Sequence, residues 1–336
     1  MRRILVTGGA GFIGSHAVQR LVELGEDVSI IDDLNDFYSP DLKQGNLAKI
    51  RETGPIRFYE CDIRDAKSVF TIVQEIRPEV IIHLAARAGV RPSLEKPLLY
   101  EQVNVGGTVT LLEASRTFGV QKFVFASSSS VYGTASSVPF REDDRVDQPI
   151  SPYAATKIAG ERLCYTYSHL YGLKVVCLRF FTVYGPRQRP DLAVRKFTEM
   201  IDLGEPIPVF GDGSIGGRDY TYVDDIIQGV IAAAGLDCSY DVFNLGNASP
   251  INLDALIQAI ENGLGKKAQI TRLPPQPGDV PITFADITKA GRVLGYAPTT
   301  PFAQGIQRFV SWYRAHKTAS MRGDAAAVAS PAVSRS

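Results

Sequence analysis

Excess charge of either sign is missing. The 336 residues carry 36 Lys+Arg and 36 Asp+Glu, a formal net charge of zero, with a pI near 6.9. Nonspecific binding to nucleic acid needs a basic face, so no nucleic-acid partner is expected, although a local basic pocket stays compatible with this balance. Cysteine is scarce: Cys61, Cys164, Cys177 and Cys238 lie far apart and none sits in a C-x-x-C pair, which argues against a zinc ribbon or a redox dithiol. Each falls in or beside an apolar stretch and reads as a small buried hydrophobe, at home in a reducing cytoplasm. No apolar run approaches the ~18 residues of a membrane span. The opening MRRILVTGG reaches glycine too soon for a secretory signal. The expectation is a cytoplasmic chain with no membrane partner, no internal repeat and no metal.

A hydrophobic content of 45% and a charged content of 21% are ordinary for a globular protein, and the length suggests about two domains. Short apolar runs alternate with helical patterns through the first half. Strands are expected at Ile4–Val6, Val28–Ile31, Phe58–Tyr59, Val80–Leu84, Phe123–Ala126 and Val175–Phe180, with helices between them, among them 16–24 and 66–76. Strands apolar on both faces, alternating with helices, predict an α/β fold with a doubly wound parallel sheet. After about residue 182 Pro and Gly cluster, which suggests a smaller substrate lobe. The expected division is 1–182 with a return at 219–247 for one domain, and 183–218 with 248–317 for the other. Residues 318–336, rich in Ala and Ser, read as a disordered tail.

The segment Thr7 to Gly14, TGGAGFIG, follows a strand and opens a helix. Glycines there let the backbone turn sharply and approach a pyrophosphate, and the helix N-terminus offers free N–H donors to the anion. Asp32 ends the next strand, 18 residues beyond Gly14; a carboxylate there accepts from ribose hydroxyls and repels a 2′-phosphate, favouring NAD over NADP. Asp62, after the third strand, is either an acceptor for the adenine amino group or a helix N-cap.

Ser151-Pro152 marks a helix start, and Tyr153 and Lys157, four apart, share one helix face. A tyrosine whose ordinary pKa is about 10 is pulled toward phenolate by a neighbouring ammonium, which suits Tyr153 to general acid/base work. Upstream, Phe125 to Gly133 reads FASSSSVYG. Hydroxyls at the carboxyl end of a parallel strand sit where such sheets bind ligands, though a Ser-rich turn alone has the same composition.

Together, TGGAGFIG, Asp32, Asp62-Ile63, HLAA at 83–86, Asn104 in NVGGT, the serine run and Tyr153-Lys157 resemble the extended short-chain dehydrogenase/reductase family over about residues 1–315. The resemblance implies a Rossmann-type fold binding NAD through Gly8, Gly11, Phe12, Ile13, Gly14, Asp32, Asn35, Asp62, Ile63, Leu84, Ala85, Ala86, Asn104, Ser127, Tyr153, Lys157 and Phe181. It implies Tyr153 as acid/base, Lys157 as its partner, and Ser128 as the assisting serine, with Ser129 the neighbouring candidate. The second lobe looks like a nucleotide-sugar binder: Phe210 in IPVFGDG as the stacking candidate for uracil, Arg218 for a phosphate, and Asp279 in PGDVP for the uridine ribose. Gln276 stands where many relatives have arginine. Asp224-Asp225 is read as a helix N-cap rather than a metal site.

Family dehydratases carry an Asp-Glu pair before V-Y-G, and decarboxylating members a glutamate. Here Ser129 and Ser130 occupy those positions, which leaves 4-epimerisation. The segment RFFTVYGPRQRPDLA at 179–193, with Thr182 where hexose epimerases often have asparagine, resembles UDP-glucuronate 4-epimerases, as do DFYSPDLK at 36–43 and ARAGVRPS at 86–93. Asp33 and Arg87 depart from the usual asparagine and glutamine. A uronate carboxylate calls for cations and donors, and Arg189, Arg91, Thr182 and Ser93 are the candidates. A UDP-glucose or UDP-N-acetylglucosamine 4-epimerase is the alternative within enzymes. The family often forms dimers through a four-helix contact that includes the Tyr153 helix, so a homodimer is expected.

Overall fold

The computed structural model describes residues 1–134, 137–274 and 282–321, with side chains to residue 318. Numbered along the chain, the strands are β1 (Arg3–Thr7), β2 (Asp27–Asp32), β3 (Arg57–Glu60), β4 (Val80–His83), β5 (Lys122–Ser128), β6 (Lys174–Phe180), β7 (Thr182–Tyr184), β8 (Pro206–Phe210), β9 (Arg218–Tyr222), β10 (Tyr240–Leu245), β11 (Pro250–Ile251) and β12 (Gln269–Leu273). The helices are α1 (Phe12–Glu23), α2 (Pro40–Thr53), α3 (Ala66–Ile76), α4 (Val90–Glu95), α5 (Pro97–Tyr100), α6 (Gly107–Phe118), α7 (Pro152–Tyr171), α8 (Ala193–Leu203), α9 (Val223–Gly235), α10 (Leu253–Leu264), α11 (Thr288–Leu294) and α12 (Phe302–Met321). A π-helical turn, Glu101–Gly106, leads into α6, and a 3₁₀ turn, Ser129–Tyr132, follows β5.

Seven strands form one parallel sheet in the order β10-β6-β5-β4-β1-β2-β3. Its order reverses at β1, between β4 and β2, so the crevice beyond the carboxyl ends of β1 and β4 is the switch point where such sheets bind ligands. The alternation of strand side chains builds two cores. In β1, Ile4 and Val6 enter one and Leu5 the other; in β5, Val124 and Ala126 enter the first, Phe123 and Phe125 the second. Both faces are covered, as the unbroken apolar runs require.

A second, smaller set of strands lies beside this sheet: β9 pairs with β7 in parallel and with β11 antiparallel, and β8 pairs with β12. Strand β10 lies at the edge of the main sheet, while β9 belongs to the small sheet.

Two expectations need correction. Helix α12 runs on to Met321, so residues 318–321 are helical rather than tail; the remainder of the predicted tail lies outside the described residues. Asp224 and Asp225 do not cap α9, which Tyr222 precedes with no side-chain cap. They occupy its first turn, and Asp225 instead accepts from the backbone N–H groups of Thr299 and Thr300 (3.0 and 3.2 Å). Helix α2 is polar in composition, yet its Leu47 and Ile50 are fully buried in the core.

Candidate active site

At the switch point lies a cavity of about 470 Å³. Of the expected site residues, Gly8, Gly11, Phe12, Ile13, Gly14, Asp32, Asn35, Asp62, Ile63, Leu84, Ala85, Ala86, Ser127, Ser128, Ser129, Tyr153, Lys157, Phe181, Thr182 and Arg189 line it. One end is built from backbone. Gly8 has φ +73°, and a Cβ there would stand 2.7 Å from the Ala85 nitrogen. A Cβ on Gly14 would fall 2.0 Å from the Gly8 carbonyl oxygen. The turn is thus closed to side chains, and a dinucleotide's diphosphate fits over it at the start of α1.

The segment above the turn is fixed from below. Leu84 N–H donates to the Thr7 carbonyl (3.1 Å). His83 bridges Thr7 Oγ1 (2.7 Å, Nδ1) and Thr108 Oγ1 (3.0 Å, Nε2). Since the Thr108 hydroxyl donates to the Asn104 carbonyl (2.6 Å), Nε2 carries the proton and Nδ1 accepts from Thr7. Burial first, and then the Lys157 charge, lower His83 to about 3, so it stays neutral.

Asp32, 6% exposed, accepts from the N–H groups of Ala10 (3.1 Å) and Leu34 (3.0 Å). Lys43 Nζ lies 3.5 Å from it. Burial raises the Asp32 pKa, opposed by Lys43 and these donors. Asp62 is not the helix cap: Asp65 caps α3, its side chain accepting from Ser68 N–H (3.2 Å). Arg64 clamps Asp62 (2.5 Å), and its hydrogen bonds outweigh burial and lower that carboxyl.

The other end of the cavity is built from side chains. The Ser151 oxygen accepts from Ala154 N–H (3.1 Å) and starts α7 as expected. Lys157 Nζ donates to the Ala126 carbonyl (2.7 Å) and lies 5.9 Å from the Tyr153 ring centre. Burial lowers Lys157 to about 8, with Cys164 and Glu161 opposing. Burial also raises the Tyr153 pKa, against a hydrogen bond with Ser128 and the positive charge of Arg189. Desolvation dominates at Tyr153, and the Lys157 ammonium is turned to a backbone carbonyl. Arg189 itself is held by Asp191 (2.9 Å) and packs 5.3 Å from the Phe37 ring. Burial disfavours its charge, but Asp191 outweighs that and raises its pKa.

Other candidates sit elsewhere. Ser127 touches the cavity, yet its hydroxyl donates to Glu161 (2.6 Å). Asn104 is 2% exposed and off the cavity wall; its amide accepts from Arg87 N–H (2.7 Å) and donates to the Arg87 carbonyl (2.9 Å) and Thr156 (3.0 Å). That makes it a clamp on the 84–89 loop. Ser93, fully buried, turns its hydroxyl to the Val90 carbonyl of its own helix (2.5 Å). Arg91 and Phe210 lie outside the cavity wall but meet each other, guanidinium to ring centre 5.7 Å. Arg218, also off the wall, donates to the Gly217 carbonyl (3.2 Å). Asp279 and Gln276 lie outside the described residues. Lys43, Phe37, Tyr38 and Arg87 line the cavity as well. The first three fall inside the segment that signalled the resemblance, but nothing in the sequence shows that a lysine in a polar helix is 4% exposed against Asp32.

Comparison with known proteins shows the family. The family profile described as GDP-mannose 4,6 dehydratase matches residues 5–309. UDP-glucuronate 4-epimerase from Thermodesulfobacterium geofontis is 44% identical over 309 residues, 92% of this chain and 95% of that one. The chain belongs to the extended short-chain dehydrogenase/reductase family of nucleotide-sugar epimerases and dehydratases. UDP-glucuronate 4-epimerase 4 of Arabidopsis thaliana is 43% identical, over 92% of this chain and 75% of that one. Among solved structures, the UDP-glucuronic acid 4-epimerase of Bacillus cereus, in complex with UDP-glucuronic acid and NAD, superposes with a TM-score of 0.87 at 37% identity, covering 93% of this chain and 99% of that one. The UDP-glucose 4-epimerase of Thermotoga maritima, with UDP-glucose, gives 0.85 at 36% identity, over 94% and 99%. The family uses NAD, and the glycine turn, the Asp32 carboxylate and the cavity between them and Tyr153 fit that coenzyme. Among the described residues no helix is long and apolar enough to cross a membrane, and no group of His, Cys, Asp or Glu is placed to hold a metal.

Proposed function

We propose that this NAD-dependent UDP-sugar 4-epimerase interconverts UDP-glucuronate and UDP-galacturonate. The observation that carries the substrate is Arg189: a guanidinium at the cavity wall, braced by Asp191 and Phe37, whose charge is felt at the Tyr153 hydroxyl. A cation held beside the acid/base suits a sugar with a carboxylate next to the reacting carbon. Thr182, also on the wall, adds a hydroxyl donor. Arg91, packed on Phe210, and Arg218 are assigned to the nucleotide, as is Asp279, which lies outside the described residues.

Bound NAD supplies the hydride acceptor and donor for C4. Tyr153 takes the proton of the C4 hydroxyl during oxidation and gives it back after the 4-keto sugar has rotated. Taking that proton requires the phenolate, which burial opposes and which Ser128 and the positive charge of Arg189 favour. Lys157, fixed on the Ala126 carbonyl, would hold the nicotinamide ribose. Oxidation at C4 makes a β-keto acid, which is prone to lose carbon dioxide; Arg189 holding the carboxylate in the plane of the ketone disfavours that loss. Ser129 and Ser130 offer no carboxyl acid for dehydration. The division into an NAD-binding domain and a nucleotide-sugar lobe, the homodimer and a cytoplasmic location belong to this proposal.

The test is purified enzyme with UDP-glucuronate and no added coenzyme, followed by proton NMR. Formation of UDP-galacturonate is the expected result. A UDP-pentose would restore the decarboxylase reading. Turnover of UDP-glucose alone would assign the enzyme to neutral hexoses and Arg189 to a structural role.

A further inference from the structure

Beneath the serine run lies a polar assembly that the proposed chemistry does not use. Glu161 and Arg179 form a bidentate pair, Nε to Oε1 and Nη2 to Oε2 both at 2.9 Å, with side chains 1% and 3% exposed. Two further groups complete it. The Ser127 hydroxyl donates to Glu161 Oε1 (2.6 Å), and Arg179 Nη1 donates to the Tyr132 hydroxyl (3.0 Å), which donates in turn to Asn244 Oδ1 (2.6 Å). A buried ion pair of this kind carries a desolvation cost that an apolar pair would avoid, so its geometry, rather than its stability, is what calls for explanation.

Ser127 and Tyr132 bracket the last three serines of the run: Ser127 is the last residue but one of β5, and Tyr132 ends the 3₁₀ turn. Both are tied to the same guanidinium–carboxylate pair, so the three serines between them hang from two fixed points. Neighbouring strand residues face opposite ways. Ser127 follows Phe123 and Phe125 onto the α7 side, and Ser128 follows Val124 and Ala126 to the other. Fixing Ser127 on α7 therefore fixes where Ser128 emerges at the sheet edge. Glu161 stands on α7 one turn beyond Lys157 and two beyond Tyr153, so the helix that carries the tyrosine also sets the strand that carries its serine.

We propose that Glu161 is a positioning residue for the proposed epimerase reaction: gripped by Arg179, it draws the Ser127 hydroxyl under the sheet edge and thereby presents Ser128 to the Tyr153 hydroxyl. This rests on the acid/base role given to Tyr153 above. Glu161 also favours the charged form of Lys157, which makes its own removal ambiguous. The cleaner variants cut the anchors and leave the ion pair: Ser127→Ala at one end, Tyr132→Phe at the other.

The experiment compares these variants with the wild-type holoenzyme in two measurements. The first is steady-state turnover with UDP-glucuronate or UDP-glucose, whichever the wild type converts. Ser127→Ala is expected to lower kcat about tenfold, with KM and NAD content unchanged, and Ser127→Thr to restore it. The second needs no turnover: the tyrosinate absorbance that Tyr153→Phe removes is titrated in each holoenzyme. Tyr153 is faced by Lys157 from its own helix, Ser128 from β5, Arg189 from the loop after β7, and the edge of the Tyr100 ring (6.2 Å) from α5. Loss of Ser128 alignment should move that titration about one pH unit upward in Ser127→Ala. An unchanged titration overturns the proposal, whether or not the wild type turns over. So does loss of NAD from Ser127→Ala, which would make Ser127 a coenzyme contact. A wild type inactive on every UDP sugar, with the shift present, would remove the functional reading and leave the alignment standing.

Discussion

Two buried carboxylate–cation pairs flank the cavity, and they are built differently. Glu161–Arg179 is saturated: both carboxylate oxygens face the guanidinium fork at 2.9 Å, and Ser127 and Tyr132 take further bonds. Asp32–Lys43 is loose, at 3.5 Å, and both residues line the cavity. An ion pair closed on itself holds scaffold in place. An ion pair left open keeps acceptor and donor capacity for hydroxyls arriving with a ligand. Equal burial, 5% or less for all four side chains, therefore conceals opposite duties, and the difference lies in how many hydrogen bonds are already made.

That contrast can be broken by substitution. The largest expected effect lies between the pairs, at the chemistry itself. Tyr153→Phe should lower turnover by about 10³-fold, within the usual span for a general acid/base, with NAD content by absorbance unchanged; residual epimerisation near wild type would dismiss Tyr153. Next, Glu161→Ala leaves the Arg179 charge uncompensated and should destabilise the fold by about 3–5 kcal/mol, measured by denaturant unfolding. Asp32→Asn should behave in the opposite way, with little loss of stability but NAD bound about 10- to 100-fold more weakly by calorimetry, the loss of one hydrogen bond to a charged group. If Asp32→Asn melts as readily as Glu161→Ala, the distinction between closed and open pairs fails.

Arg189→Gln sharpens the comparison on the sugar side. The KM for UDP-glucuronate should rise about tenfold while the KM for UDP-glucose stays constant, since only the uronate loses a charge-assisted contact; kcat should fall alike on both sugars, because Tyr153 loses the Arg189 charge. Equal rises in KM on both sugars would remove the carboxylate role.

A last effect falls on stability rather than catalysis, as a pH dependence. His83 and His16 are held at about 3 and about 4 in the fold, chiefly by burial, against 6.5 for an unfolded histidine. Below pH 6.5 the unfolded chain binds protons that the folded chain refuses. Their contribution is therefore complete above pH 6.5 and is lost as pH falls toward 4 and then 3. Scanning calorimetry should show Tm falling across that window, with a shallower slope in His83→Asn.

Much of the cofactor end was legible because it is local. TGGAGFIG, with its strand before and helix after, lies within one short stretch, and sterics at Gly8 and Gly14 dictate the turn wherever the segment is folded. Tyr153 and Lys157 were legible through helical spacing, and the Ser151 cap through its proline. Legibility failed where a role depended on which distant group a side chain met. Asn104, grouped with the coenzyme contacts, proved to be a clamp on Arg87, and the Ser93 hydroxyl was taken by its own helix. Lys43, in a helix of low amphipathic character, carried no sign that it would be buried on Asp32.

By itself, then, the sequence determined the doubly wound sheet, the glycine turn, and the helix that presents a tyrosine and a lysine on one face. Each follows from periodicity or backbone sterics within a few residues. The tertiary structure decided which serine meets Tyr153, that Arg189 closes on the cavity, and that Glu161 faces Arg179 and Ser127 rather than solvent. Strand alternation sends Ser127 and Ser128 to opposite faces, but only packing of α7 against β5 and β6 settles which face receives the buried charge. The reason is physical: hydrogen bonds and ion pairs form between atoms that folding brings within about 3 Å, and chain spacing carries no record of that distance.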